Sequence, residues 1–184
     1  VSGLDFWRNG AEFSPDRRYR YRLWRCWGIG PMLMVIGLNP STADEATDDP
    51  TVRRCVGYAQ AWGFAGLRVL NVSGFRSTDP LPMLRSLRMA DDYEYRQKNL
   101  NVVRSEARIT IAEGGAVLAA WGAHGARDGL GEMMTHWLER DHVPVACLGL
   151  TKDKQPKHPL YLPKNAQPLR FLGNGGILCK EPTP

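Results

Sequence analysis

Four short apolar runs, each emptying into glycine, asparagine or proline, constrain this chain more than any other feature. They cover residues 32–36, 67–72, 116–122 and 142–148. A continuous apolar run that ends in a breaker reads as a strand buried on both faces, the kind found in parallel sheets. Amphipathic stretches lie between the runs. Asp49 and Pro50 supply an N-cap and a first helical residue for a helix reaching about Trp62. Its inner face would use Val52, Cys55, Val56 and Ala59, and Gly63 would stop it. A long helix is expected over residues 91–112, with Leu100, Val103, Ala107 and Ile111 inward, and another over 130–140. This alternation predicts a three-layer α/β/α fold around a central, mainly parallel four-stranded sheet.

Two further segments flank that core. Residues 17–25 alternate with period two, placing Tyr19, Tyr21, Leu23 and Arg25 on one side and Arg18, Arg20, Arg22 and Trp24 on the other. That pattern predicts a half-exposed N-terminal edge strand whose arginines guard against aggregation. Residues 169–179 are expected to form a small hairpin around Asn174, Gly175 and Gly176. With 184 residues and no internal repeat, one domain is expected over 1–184.

Composition narrows the function classes. Hydrophobic residues at 43% and charged residues at 23% exclude a disordered chain. No apolar run is long enough to span a bilayer, and the first residues lack a signal-peptide layout, so the cytoplasm is expected. Cys26, Cys55, Cys147 and Cys179 lie too far apart in sequence for a metal loop; reduced thiols, no metal and no cofactor are expected. GxGxxG and P-loop patterns are absent. The net charge of +5 permits a polyanionic partner.

Ligands of open parallel sheets sit outside the carboxyl ends of the strands, where three polar features fall. Gly37-Leu38-Asn39-Pro40-Ser41 follows the first run; its glycine permits close backbone approach and Asn39 offers a donor and an acceptor. Asn71 is embedded in an apolar strand and must find partners for its amide. His158 lies between prolines in Pro156-Lys157-His158-Pro159-Leu160-Tyr161, where it can polarise a developing oxyanion. Each has an ordinary structural alternative, namely a turn, a satisfied core amide and an exposed loop histidine.

In order and spacing, these features together with Trp121-Gly122 resemble the uracil-DNA glycosylase superfamily over residues 32–162. More specifically, the chain is similar to the DUF1643 family of bacterial proteins. It carries that family's phrases Leu38-Asn39-Pro40-Ser41-Thr42-Ala43-Asp44, Asp49-Pro50-Thr51, Ala120-Trp121-Gly122-Ala123-His124-Gly125 and Lys157-His158-Pro159-Leu160-Tyr161. The glycosylase resemblance implies that Asn39 positions a water, Asn71 reads a base edge and His158 stabilises charge on the departing base. Asparagine is no strong base, so a nearby carboxylate is expected either to bind a cation or to act as the base, and Asp44 is the catalytic candidate. Asp48 and Asp49 are also near, although helix capping accounts for them equally well.

Gly37, Leu38, Ser41 and Phe75 join Asn71 as base-binding candidates, with Tyr58 and Trp62 as further rings on which a base could stack. Arg53, Arg76, Lys157 and Leu162 are the candidates for phosphate or nucleic-acid contact. Lys152, Lys154 and Lys164 lie in the same loop as His158. Departures from the resemblance are specific: Leu160 stands where serine is usual, and Ser41 leaves room for a larger base. The acidic cluster would repel a phosphate backbone unless Arg53, Arg54 or Arg76 pairs with it. The expected ligand is therefore a nucleic acid or a nucleotide, bound for N-glycosidic hydrolysis or bound without turnover. No membrane association and no stable protein partner are expected.

Overall fold

The computed structural model describes residues 9–179. Its centre is one seven-stranded mixed sheet rather than the expected four strands plus an edge. The strands are β1 (Gly10–Phe13), β2 (Arg20–Cys26), β3 (Met32–Gly37), β4 (Gly66–Asn71), β5 (Ala116–Ala119), β6 (Val145–Cys147) and β7 (Leu169–Leu172), in the order β1-β2-β4-β3-β5-β6-β7. β3 pairs in parallel with β4 and β5, and β5 with β6. β1, β2 and β7 are joined to the rest by antiparallel pairing.

Four α-helices are described: α1 (Pro50–Ala61), α2 (Pro80–Ser86), α3 (Tyr93–Ala112) and α4 (Leu130–Arg140). The apolar runs explain where they pack, because alternate residues of each central strand feed two separate buried clusters. Leu33 and Val35 of β3 join Leu67, Val69 and Leu118 against Val52, Cys55 and Ala59 of α1. Met34 and Ile36 join Leu70 and Val117 against Val103 and Ala107 of α3 and Met134 and Leu138 of α4. Of the expected inner face of α3, Leu100 and Ile111 are only partly buried.

Three expectations are corrected. The arginine-rich strand is not an edge, since β1 covers its outer side and β4 its inner side. Its two faces are not buried and exposed either. The register with β1 runs Glu12–Arg22 and then Phe13–Arg20, leaving Tyr21 as the extra residue of a β-bulge. The bulge resets the alternation. Tyr19 stacks on Tyr95, the Lys98 ammonium lies over Tyr21 and Arg22 pairs with Glu106, all on the α3 side. Arg20 and Arg25 instead reach the backbone of Ala43 and Asp44 beyond the end of β3. Lastly, residues 169–179 do not fold on themselves: β7 pairs with β6, and Gly176–Leu178 is a 3-10 turn. The Asn-Gly-Gly signal marks the exit from β7, where Gly175 adopts φ 73°.

Candidate functional site

The strand order creates a crevice. From β3 the chain crosses over α1 to β4 on one side, then returns over α3 to β5 on the other, so the loops at the carboxyl ends of β3 and β5 diverge. Ligands of parallel sheets sit at such points. Here the crevice is a cavity of about 720 Å³, within the range that encloses a small organic ligand.

Gly37, Leu38, Asn39 and Ser41 bring the β3 loop into its wall, and Asn71 closes it from the end of β4. Gly37 and Asn71 are register partners in the parallel pair. A side chain at 37 would put its Cβ 2.9 Å from Asn71 Oδ1, so only glycine lets the amide occupy this position. Asn71 is 3% exposed, its backbone carbonyl accepts from Asn99 Nδ2, and its own Nδ2 is buried without a partner. A buried, unused donor facing a cavity is unfavourable in the ligand-free protein and available to a ligand.

Asn39 is held differently. Its Nδ2 donates to the Ser77 carbonyl at 2.8 Å and to the Pro40 carbonyl at 3.2 Å. Those bonds fix the amide plane and leave Oδ1 as the acceptor on the cavity wall.

The third wall comes from the loop after β6. Gly122, at φ 73°, donates its N–H to the Pro156 carbonyl, and a Cβ there would lie 3.2 Å from His158 Cβ. Trp121 Nε1 donates to Gln155 Oε1 at 2.8 Å, and Gln155 Nε2 donates to Glu132 Oε1 at 2.9 Å. This chain of bonds ties the histidine loop to the end of β5 and to α4. His158 Nδ1 accepts the Leu160 N–H at 3.4 Å, so the neutral ring carries its proton on Nε2. Burial lowers the imidazole below its usual 6.5, and the Asp49 carboxylate opposes that shift. Lys157, His158 and Leu162 all line the cavity.

Other sequence candidates lie elsewhere. Asp44 caps a turn, accepting from the Ala46 and Thr47 amides at 2.9 and 2.7 Å, and those bonds hold its carboxyl below the usual range. Phe75 packs edge-on against Tyr19, and Arg53 donates to the Asp48 carbonyl. Arg76 donates to the Arg17 carbonyl with its guanidinium over Phe13. Tyr58 stacks on Trp62 and donates to the Pro163 carbonyl at 2.6 Å. None of these six residues lines the cavity. Lys152, Lys154 and Lys164 are outside it too.

The carboxylate that does line the cavity is Asp49, 8% exposed, whose Oδ1 caps α1 through the Val52 N–H at 2.8 Å. Trp121, 1% exposed, supplies an aromatic wall. Arg20 also lines it, a residue that strict alternation had placed on an exposed strand face. No signal in the sequence marks the bulge that turns it inward, because the extra residue is an ordinary β-forming tyrosine.

Among the described residues no group of three histidines, cysteines or carboxylates could hold a metal ion, and no helix is long and apolar enough to cross a membrane. The family model described as a protein of unknown function, DUF1643, matches residues 20–160. No curated protein and no solved structure matches the chain.

Proposed function

This chain belongs to the DUF1643 family, whose description assigns no chemistry, and we propose from the cavity itself that it binds a nucleobase and hydrolyses its N-glycosidic bond. The observation that carries the reading is the convergence of Asn39, Asn71 and His158 on one cavity, with the Asn71 Nδ2 donor unused. Helices against both faces of a sheet whose central strands are parallel also suit a glycosylase-like α/β/α arrangement. Asn71 then recognises the base edge through donor and acceptor together. Asn39 Oδ1 orients a water, Asp49 accepts its proton, and Nε2–H of neutral His158 donates to the negative charge growing on the departing base.

The test is incubation of the purified chain with nucleosides, nucleotides and oligonucleotides bearing uracil, hypoxanthine, xanthine or oxidised bases. Release of free base, lost in Asn39→Ala and in His158→Ala, is expected. Absence of release from every substrate, with folded protein, rejects hydrolysis.

One observation favours a second reading, binding without turnover. Asp49 already uses one carboxylate oxygen as a helix cap, which weakens it as a base. In that case ligand binding would survive Asn39→Ala and fail in Asn71→Ala.

A further inference from the structure

The proposed hydrolysis makes no use of the Arg20 guanidinium, which also lines the cavity. It is 2% exposed and makes one side-chain hydrogen bond, from Nη1 to the Ala43 carbonyl at 3.0 Å. Its Nε is buried with no partner. Neighbouring arginines of the same strand are neutralised: Arg25 pairs with Asp48 at 2.7 Å and Arg22 with Glu106 at 2.5 Å. Among the described residues Arg20 forms no such pair. Burial pulls it down to about 10; Asp49 opposes that shift, and Arg76 and Arg25 add to it.

A charge removed from water is unfavourable unless an opposite charge and hydrogen bonds replace its hydration. The ligand-free fold gives Arg20 one carbonyl and, without a direct ion pair, the nearby Asp49 carboxylate. A planar guanidinium with an unpartnered Nε is shaped to take an oxyanion through two parallel hydrogen bonds. The depth of the residue then selects the kind of anion. In a polymer each internal phosphate is tethered on both sides and stays with the backbone at the rim, where exposed Lys157 lies. Only an anionic group at the end of a small molecule can follow a base inward, and about 720 Å³ accommodates such a molecule whole.

We propose that Arg20 is an anion-binding residue inside the cavity, and that the ligand is a free nucleotide whose terminal phosphate monoester pairs with it. This rests on the nucleobase reading of the same cavity and narrows it from polymer to small molecule.

Calorimetry and thermal melting of the full chain test it, with inorganic phosphate, nucleoside 5′-monophosphates, the matching nucleosides and a single-stranded oligonucleotide lacking terminal phosphates. Phosphate and the monophosphates should raise the melting temperature, and monophosphates should bind about 10- to 100-fold tighter than nucleosides. Arg20→Met should erase that difference and raise the melting temperature of the ligand-free protein, because an unpaired charge has left the interior. Should Arg20→Met not fold, Arg20→Lys carries the test, with about a tenfold loss for monophosphates expected from loss of the planar fork. Unchanged phosphate binding in either variant overturns the proposal. So does a wild-type protein that binds nucleosides or the oligonucleotide as tightly as monophosphates. Monophosphates that bind through Arg20 and are never cleaved reject hydrolysis while leaving the anion site standing. Base release from unphosphorylated nucleosides that is indifferent to Arg20→Met does the reverse.

Discussion

At the scale of single residues, two of this cavity's donors, Asn71 Nδ2 and Arg20 Nε, are buried without a partner, and that has measurable signs. Asn71 Nδ2 has no partner to lose, so Asn71→Ala should weaken nucleobase binding by about 1–3 kcal/mol while costing less stability than a buried amide usually does. Isothermal binding and urea titrations on the same variant separate the two effects. Gly37→Ala should abolish binding as well, because its Cβ would displace the Asn71 amide from 2.9 Å away. His158 gives a pH signature. Its folded value is below 6.5 because burial disfavours the charged ring, so below pH 6.5 the unfolded chain binds more protons than the folded one. That contribution makes stability fall as pH drops through 6.5 toward the folded value, and His158→Gln should remove this component of the profile. A wild-type and variant pair with parallel stability profiles between pH 5 and 8 would show that the ring does not titrate differently on folding. The sequence made Asn39, Asn71 and His158 legible because each stands beside a chain breaker or inside an apolar run. Arg20 and Asp49 were obscured, since an arginine in an alternating strand and an aspartate before proline both have complete local explanations.

Elements were legible where a residue pattern has one physical meaning. The Asp49-Pro50 start of α1 appears as read, with Asp49 capping Val52 and Gly63 at φ 79° just past the end. Asp49→Ala should therefore cost about 1 kcal/mol through the lost cap, visible in thermal melting, besides any catalytic effect. The outer strands were misread because pairing partners are a long-range property. β1 is four residues with no alternation of its own, and β7 resembles half of a hairpin until β6 claims it. Charge pairing that no local pattern encodes also holds α3 to the sheet. Glu106, 5% exposed, receives Arg22 at 2.5 Å and faces Arg68 at 3.7 Å, while Arg68 also reaches Glu113 at 2.8 Å. Replacing Glu106 by alanine leaves Arg22 with Glu12 alone and Arg68 with Glu113 alone, and should destabilise the fold by about 1–3 kcal/mol in urea denaturation. Loss well below about 1 kcal/mol would show that Glu12, Glu113 and solvent compensate.

Across the whole molecule, the same strands serve two cores, with Ile36 on the α3 and α4 side and Leu118 on the α1 side. Ile36→Ala and Leu118→Ala should each cost about 2–5 kcal/mol, and tryptophan fluorescence and circular dichroism should report one shared transition in both. Separate transitions would mean that the two sides of the sheet melt independently. The positive charge that lies inside the fold is likewise placed by architecture. Arg22, Arg25 and Arg68 pair with carboxylates, while Arg20 and Lys157 line the cavity. The place of Arg20 within that distribution depends on how β2 pairs with β1. The bulge at Tyr21 sets which side of the sheet every preceding residue of β2 faces. Closing the bulge with Tyr21 kept, so that Tyr21 paired with Phe13, would turn Arg20 toward α3, whereas removing Tyr21 would leave Arg20 opposite Phe13 and still on the cavity side. For relatives of this chain, a one-residue gap at the bulge therefore predicts an unchanged pocket, and a chain that keeps the residue but pairs it regularly with β1 predicts one without the buried arginine.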